Sequence, residues 1–289
     1  VIFLLFSILS SVGIFLLFKQ FERWGVDTFQ AIVFNYITAF TMGMLATTDD
    51  GGFRLLFSQD WHLYPFLLGL TFIGLFYLMA VTAQKMGVSV ASIATKMSLV
   101  IAVAVFVIID PNEKLTALDV VAICLAVVGV FMASAKTVSG GLSAKWVALP
   151  VIIFLGSGLV DVTLGIFSDD QYMVRESDHY LLSALPFGAA AGCGVLIQIY
   201  RIVRGISQSQ LKSLLAGIVL GAVNFGSIFF LVRVLNADVL EKSSIIPINN
   251  MGVVVLSALL GLALFKERLT VKNWVGVLCS VVAISLLLL

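Results

Sequence analysis

Charged side chains are scarce in this sequence. Lys and Arg number 17 and Asp and Glu 16 among 289 residues, 11% of the chain, where an ordinary soluble domain carries about 25%. With 61% hydrophobic residues and a mean hydropathy of +1.12, water could not solvate such a chain, which excludes a soluble globular fold. The net charge of +1 comes without any basic cluster or aromatic-basic interleaving, so nucleic acid is not an expected partner. Cysteines number three, and Cys124, Cys193 and Cys279 all fall inside apolar runs, where they act as small hydrophobes; a disulfide framework and a C-x-x-C metal site are excluded. The two histidines, His62 and His179, sit at predicted span edges outside any H-E-x-x-H motif, and no GxxxxGK[ST] loop occurs. No catalytic constellation, metal or cofactor is therefore expected, and an ATP-driven pump would need a partner chain.

Apolar runs do recur from end to end, each long enough to cross roughly 30 Å of hydrocarbon as a helix. Stretches such as Val100 to Ile109 do not alternate polar with apolar residues, which argues against a β-barrel. The breaks are short and turn-like: Asp49-Asp50-Gly51-Gly52, Asp110-Pro111-Asn112, Ser139-Gly140-Gly141 and Ser168-Asp169-Asp170. They divide the chain into ten expected spans, at 1–20, 28–47, 63–85, 88–109, 117–135, 145–167, 179–200, 211–235, 239–265 and 271–289, with no soluble domain between them. The first run, Val1 to Phe18, lacks a basic leader and a small-residue cleavage site, and reads as a span rather than a signal peptide. The expected fold is an all-α membrane protein.

An internal repeat organises these spans. Glu113-Lys114-Leu115-Thr116 returns as Glu267-Arg268-Leu269-Thr270, each before an apolar span, and at the same offset of 154 Met97 matches Met251, Ser89 matches Ser243 and Lys96 matches Asn250. At an offset of 152, Gly69 and Gly74 fall on Gly221 and Gly226. Two matched blocks in the same order argue for duplication, with residues 1–135 and 145–289 as five-helix halves of one membrane unit. An odd number of spans per half makes the second half enter the membrane in the opposite sense, as in inverted-repeat transporters.

This pattern resembles the EamA-like transporters of the drug/metabolite transporter superfamily over essentially the whole chain. Where the family turn has Gly before Glu, Asn112 and Lys266 stand here. The resemblance implies export or exchange of metabolites, amino acids or drugs without ATP hydrolysis.

Charge suggests an orientation. Breaks after the odd-numbered spans hold Lys19, Arg23, Lys85, Lys136, Lys145, Arg201, Arg204, Lys212, Lys266, Arg268 and Lys272; the other side holds Arg54, Lys114, Arg175, Arg233 and Lys242. The positive-inside rule puts the first set in the cytoplasm and both termini outside, whereas the family resemblance implies both termini inside.

An ionisable group inside a span costs on the order of 3 kcal/mol and is a functional candidate by default. Lys96, among Ser92, Thr95 and Ser98, and Asp161, beyond Ser157, are the two such groups. Lys96 suits a carboxylate, a phosphate or a proton; its structural alternative is a static bridge to Asp161. In span nine, Pro247 withdraws a backbone donor and marks a candidate hinge beside Asn249 and Asn250. Asn35, Tyr36, Tyr77 and Asn224 are further candidates for the same cavity, each more economically an interhelical contact. Arg233, Glu241 and Lys242 form a charged turn that could serve as a gate. Thr116 with Asp119 and Thr270 with Asn273 read as helix caps, and Gly188-x-x-x-Gly192 and Gly217-x-x-x-Gly221 as close-packing stripes, internal before dimeric.

The expected function is secondary transport of a small polar or amphipathic solute, coupled to a proton or counter-solute, by a monomer or weak dimer. The site for it is the plasma membrane, the inner membrane in a bacterium. A passive channel is the alternative, and an intramembrane enzyme a distant third.

Overall fold

In hydrocarbon every backbone N–H and C=O must find a partner within the chain, and a run of apolar residues meets that demand as a helix. The computed structural model describes residues 2–47, 63–109, 116–134, 144–167, 176–237, 242–267 and 269–287. All regular elements among these residues are α-helices: α1 (Ile2–Trp24), α2 (Thr28–Ala46), α3 (Leu63–Lys85), α4 (Val88–Lys96), α5 (Leu99–Ile109), α6 (Ala117–Ser134), α7 (Ala144–Phe167), α8 (Glu176–Val203), α9 (Leu211–Leu235), α10 (Lys242–Phe265) and α11 (Val271–Leu286). Eight segments are long and apolar enough to cross a membrane, with α4 and α5 counted together as one, and α6 and α11 are shorter apolar helices. The chain is thus a multi-pass, all-helical membrane protein by length and composition.

Several helices outrun their expected bounds because polar side chains carry them into the interface. Helix α1 continues to Trp24: Glu22 pairs with Lys85 at 2.7 Å, and Arg23 lies over the Phe265 ring at 4.7 Å. Caps fall where the sequence puts them. Thr270 and Asn273 form a reciprocal capping box on α11, and Thr116 and Asp119 exchange equivalent bonds at the start of α6.

Helix α2 is held between α8 and α9, α3 leans on α8, α1 on α9, α6 pairs with α11, and α4 crosses α10. Glycine permits the closest approaches. A Cβ on Gly217 would come within 2.5 Å of the Ala31 carbonyl, and one on Gly221 within 2.6 Å of the Asn35 carbonyl, so this stripe packs α9 onto α2 inside the molecule. On α8 the stripe splits: Gly188 faces the Phe40 ring, while Gly192 has nothing within 4 Å. Phe15, Phe18, Phe21, Tyr36 and Phe187 fill the core between α1, α2, α3 and α8.

Three ties link the α1–α2, α3–α4, α8–α9 and α10–α11 connections on one face. Glu22–Lys85 ties α1 to the end of α3, Asp27–Arg201 ties the α1–α2 turn to α8, and Glu267, between α10 and α11, reaches the start of α4. Arg23, Lys85, Arg201, Arg204, Lys212, Lys266 and Lys272 belong to this basic face.

Candidate functional site

The sequence places the interruption of the inner helices at Pro247; the structure places it elsewhere. Helix α10 runs unbroken through Pro247 from Lys242 to Phe265, while the break falls between Lys96 and Leu99, where there is neither Pro nor Gly. Side chains make it. The Ser98 hydroxyl turns back on the Thr95 carbonyl at 2.6 Å, and the Val100 and Ile101 N–H groups reach only three residues back, to Met97 and Ser98. A tightened turn so formed leaves α4 ending on Lys96.

Two polar side chains from other helices reach this break. Asp161 of α7 brings Oδ2 to 2.5 Å from the Ser98 hydroxyl, whose single proton serves either this carboxyl or the Thr95 carbonyl, and Asn250 of α10 donates from Nδ2 to the Lys96 carbonyl at 3.4 Å. Asn249 is buried with its Oδ1 free of any hydrogen bond among the described residues. Lys96 interacts electrostatically with Asp161, but its ammonium makes no hydrogen bond or ion pair there, so the static bridge does not form. Ser92, Ser98, Asn249 and Asn250 are buried, whereas Thr95, Lys96 and Asp161 keep some accessible surface. An ammonium without a direct bond, with a carboxylate as its nearby countercharge, can receive a polar ligand without first breaking an internal bond.

The other candidates are engaged elsewhere. Tyr36 is fully buried and donates its hydroxyl to the Phe72 carbonyl at 2.9 Å. Asn224 donates to Asn35 Oδ1 at 3.1 Å across α2 and α9, an interhelical bond that leaves Asn35 Nδ2 unsatisfied. Tyr77 is 42% exposed with its ring edge-on to Phe29. Arg233 is exposed, 5.3 Å over the Phe229 ring, and Glu241 lies outside the described residues.

A second polar cluster, on the basic face, escaped the sequence reading. Asp27, the N-cap of α2, accepts from Arg201 Nη2 and Nη1 at 3.1 and 3.3 Å, from Ser207 at 2.7 Å and from the Gln30 N–H at 3.1 Å. Its own N–H donates to Ser213, and Gln30 Oε1 accepts from the Gln210 N–H. The sequence signal was slight, an Asp before a helix and an Arg at the end of another. Burial alone would raise the Asp27 carboxyl, but the Ser207 hydroxyl, the Gln30 N–H and Arg201 together outweigh it and hold the group below its ordinary 3.8. A carboxyl depressed in the folded state adds stability above its unfolded pKa and loses it as pH falls through the folded value. Melting temperature should therefore be flat above about pH 5 and fall in acid, with Asp27→Asn lower at neutral pH and less acid-dependent; an unchanged neutral melting point in Asp27→Asn would show the cluster to be ornamental.

No family model matches the chain. It is 28% identical over 288 residues to an uncharacterized protein of Haemophilus influenzae, covering 97% of this chain and 95% of that protein. A solved crystal structure superposes with a TM-score of 0.58 at 15% identity, over 97% of this chain and 95% of its own, a likeness of fold.

Proposed function

We propose that the chain is a secondary transporter of the EamA-like, drug/metabolite type, moving a small polar or amphipathic solute, amino acid-like or drug-like, across the plasma membrane by alternating access. The observation that carries this reading is the unengaged Lys96 ammonium, on the residue where α4 breaks against α10, with Asp161 as its nearby countercharge and Asn250 on its backbone carbonyl. A mid-span charge that stabilises nothing by direct bonding has its use in what it binds.

Ten spans in two inverted halves, 1–135 and 145–289, account for the packing. Lys96 meets Asn250, its own repeat equivalent, as residues beside a two-fold axis would. Helix pairs come in related sets under the same exchange: α2 on α9 corresponds to α8 on α3, and α1 on α9 to α7 on α3, while α4–α10, α2–α8 and α6–α11 each map onto themselves. With the basic face in the cytoplasm, both termini lie outside.

Proteoliposomes preloaded in turn with a panel of amino acids, nucleosides and cationic dyes test the proposal. For at least one solute, uptake should saturate and accelerate with the same solute inside. Flux that never saturates and ignores the internal solute would mean a channel.

A further inference from the structure

The repeated Glu-Lys/Arg-Leu-Thr turn has more to do than cap a helix. Thr270 and Asn273 cap α11 by themselves, which leaves Glu267 free, and its carboxylate crosses to the other half of the chain. Oε1 accepts from the Val88 N–H at 2.8 Å and Oε2 from the Ser89 hydroxyl at 3.3 Å, at the first turn of α4. First-turn N–H groups without an acceptor inside the helix, and the positive end of the helix, favour a carboxylate there.

The surroundings are shaped to admit it. A Cβ on Gly87 would lie 2.8 Å from Glu267 Oε2, and one on Gly261 of α10 only 2.7 Å from the same oxygen. Gly87 also holds φ +122, open to glycine but rarely to other residues. The carboxylate thus fills the seam between the start of α4 and the end of α10. Lys266, just before it, holds φ +54, a left-handed backbone that is strained for lysine and aims the next side chain back toward α4.

We propose that Glu267 is the latch of a gate on the basic face, closed here, and that α4, the helix carrying Lys96, cannot part from α10 on that face until the carboxylate leaves Val88 and Ser89. The proposal rests on the alternating-access reading. A second observation agrees with it: α1 packs on α3 and α4, whereas α7, its counterpart, shows no comparable packing on α9 or α10 among the described residues. Of the two pseudo-symmetric sets, the one around the latch is the tighter.

Accessibility of a thiol tests the latch without any solute. In a background with Cys124, Cys193 and Cys279 replaced by Ser, Ser92→Cys puts a reporter at a fully buried position one turn beyond Ser89. A membrane-impermeant maleimide is applied to each face of vesicles of known sidedness. Glu267→Gln should raise the labelling rate from the basic face about tenfold, the population shift expected from weakening a charge-assisted hydrogen bond, with no rise from the opposite face. Gly261→Ala, which crowds the carboxylate but keeps its charge, should act in the same direction and serves if Glu267→Gln does not fold. Unchanged labelling in a folded variant would reduce Glu267 to a static cap, and an equal rise from both faces would mean local loosening; either overturns the gate. Solute counterflow in the same vesicles reports separately on whether the protein is a carrier at all.

Discussion

Lys96→Gln should lower transport of the protein's solute at least tenfold while leaving its melting temperature unchanged or higher. The ammonium has no hydrogen bond or ion pair among the described residues, so its removal breaks no direct bond, and relief of its own burial offsets the countercharge it withdraws from Asp161. A ligand group that would have been held by that charge loses about 2–5 kcal/mol of interaction, ample for a tenfold change in affinity. Asp161→Asn should behave differently. It takes the nearby countercharge from Lys96 and weakens the bond from Ser98, at a cost of about 1–3 kcal/mol in stability. Combining the two substitutions should restore most of that stability but not transport, and the coupling read from the cycle measures how strongly the groups feel each other across the gap. Wild-type transport by a stable Lys96→Gln protein would remove the residue from the site.

The offset that aligns Glu113 with Glu267 also aligns Lys96 with Asn250, and the Asn250 amide reaches the Lys96 carbonyl. Helix positions were legible in the sequence because hydrocarbon tolerates little besides apolar helix and hydropathy reports it directly, with eight of them long enough to span. The break at Met97–Ser98 was not. Pro247 was the visible helix breaker, yet a proline within α10 leaves the helix continuous, whereas the actual interruption rests on hydroxyls bonding to nearby backbone, a choice that Ser and Thr can make or decline in the same sequence. Tertiary partners were equally hidden. Nothing local distinguishes Tyr36, buried with its hydroxyl on Phe72, from an aromatic wall of a cavity, and Asp27 and Arg201 stand 174 positions apart. Glu267 read as an interfacial residue because its two acceptor bonds are to the far half of the chain.

Gly221→Ala should destabilise the protein by about 2–4 kcal/mol, the larger part of that from a single methyl group. The added carbon would stand 2.6 Å from both the Asn35 carbonyl and the Thr38 Cβ, and 3.1 Å from the Asn35 Cα, contacts with α2 itself and not with the end of a flexible side chain. Helix α9 must then move off α2. Asn224 lies one turn further along α9, and the same movement draws its amide away from Asn35 Oδ1, 3.1 Å distant in the native packing. Asn35 is fully buried and already has an unsatisfied Nδ2, so losing this bond leaves its whole side-chain amide without a partner in an apolar setting. Overpacking and desolvation therefore add at one position. Gly192→Ala supplies the comparison: its Cβ would meet nothing within 4 Å, and alanine is the better helix former, so melting should stay level or rise slightly. Thermal melts of the two variants in the same detergent decide the matter. Equal melting temperatures would mean that α2 and α9 yield to a methyl group, and that the close approach at Gly221 is incidental to the stability of the bundle.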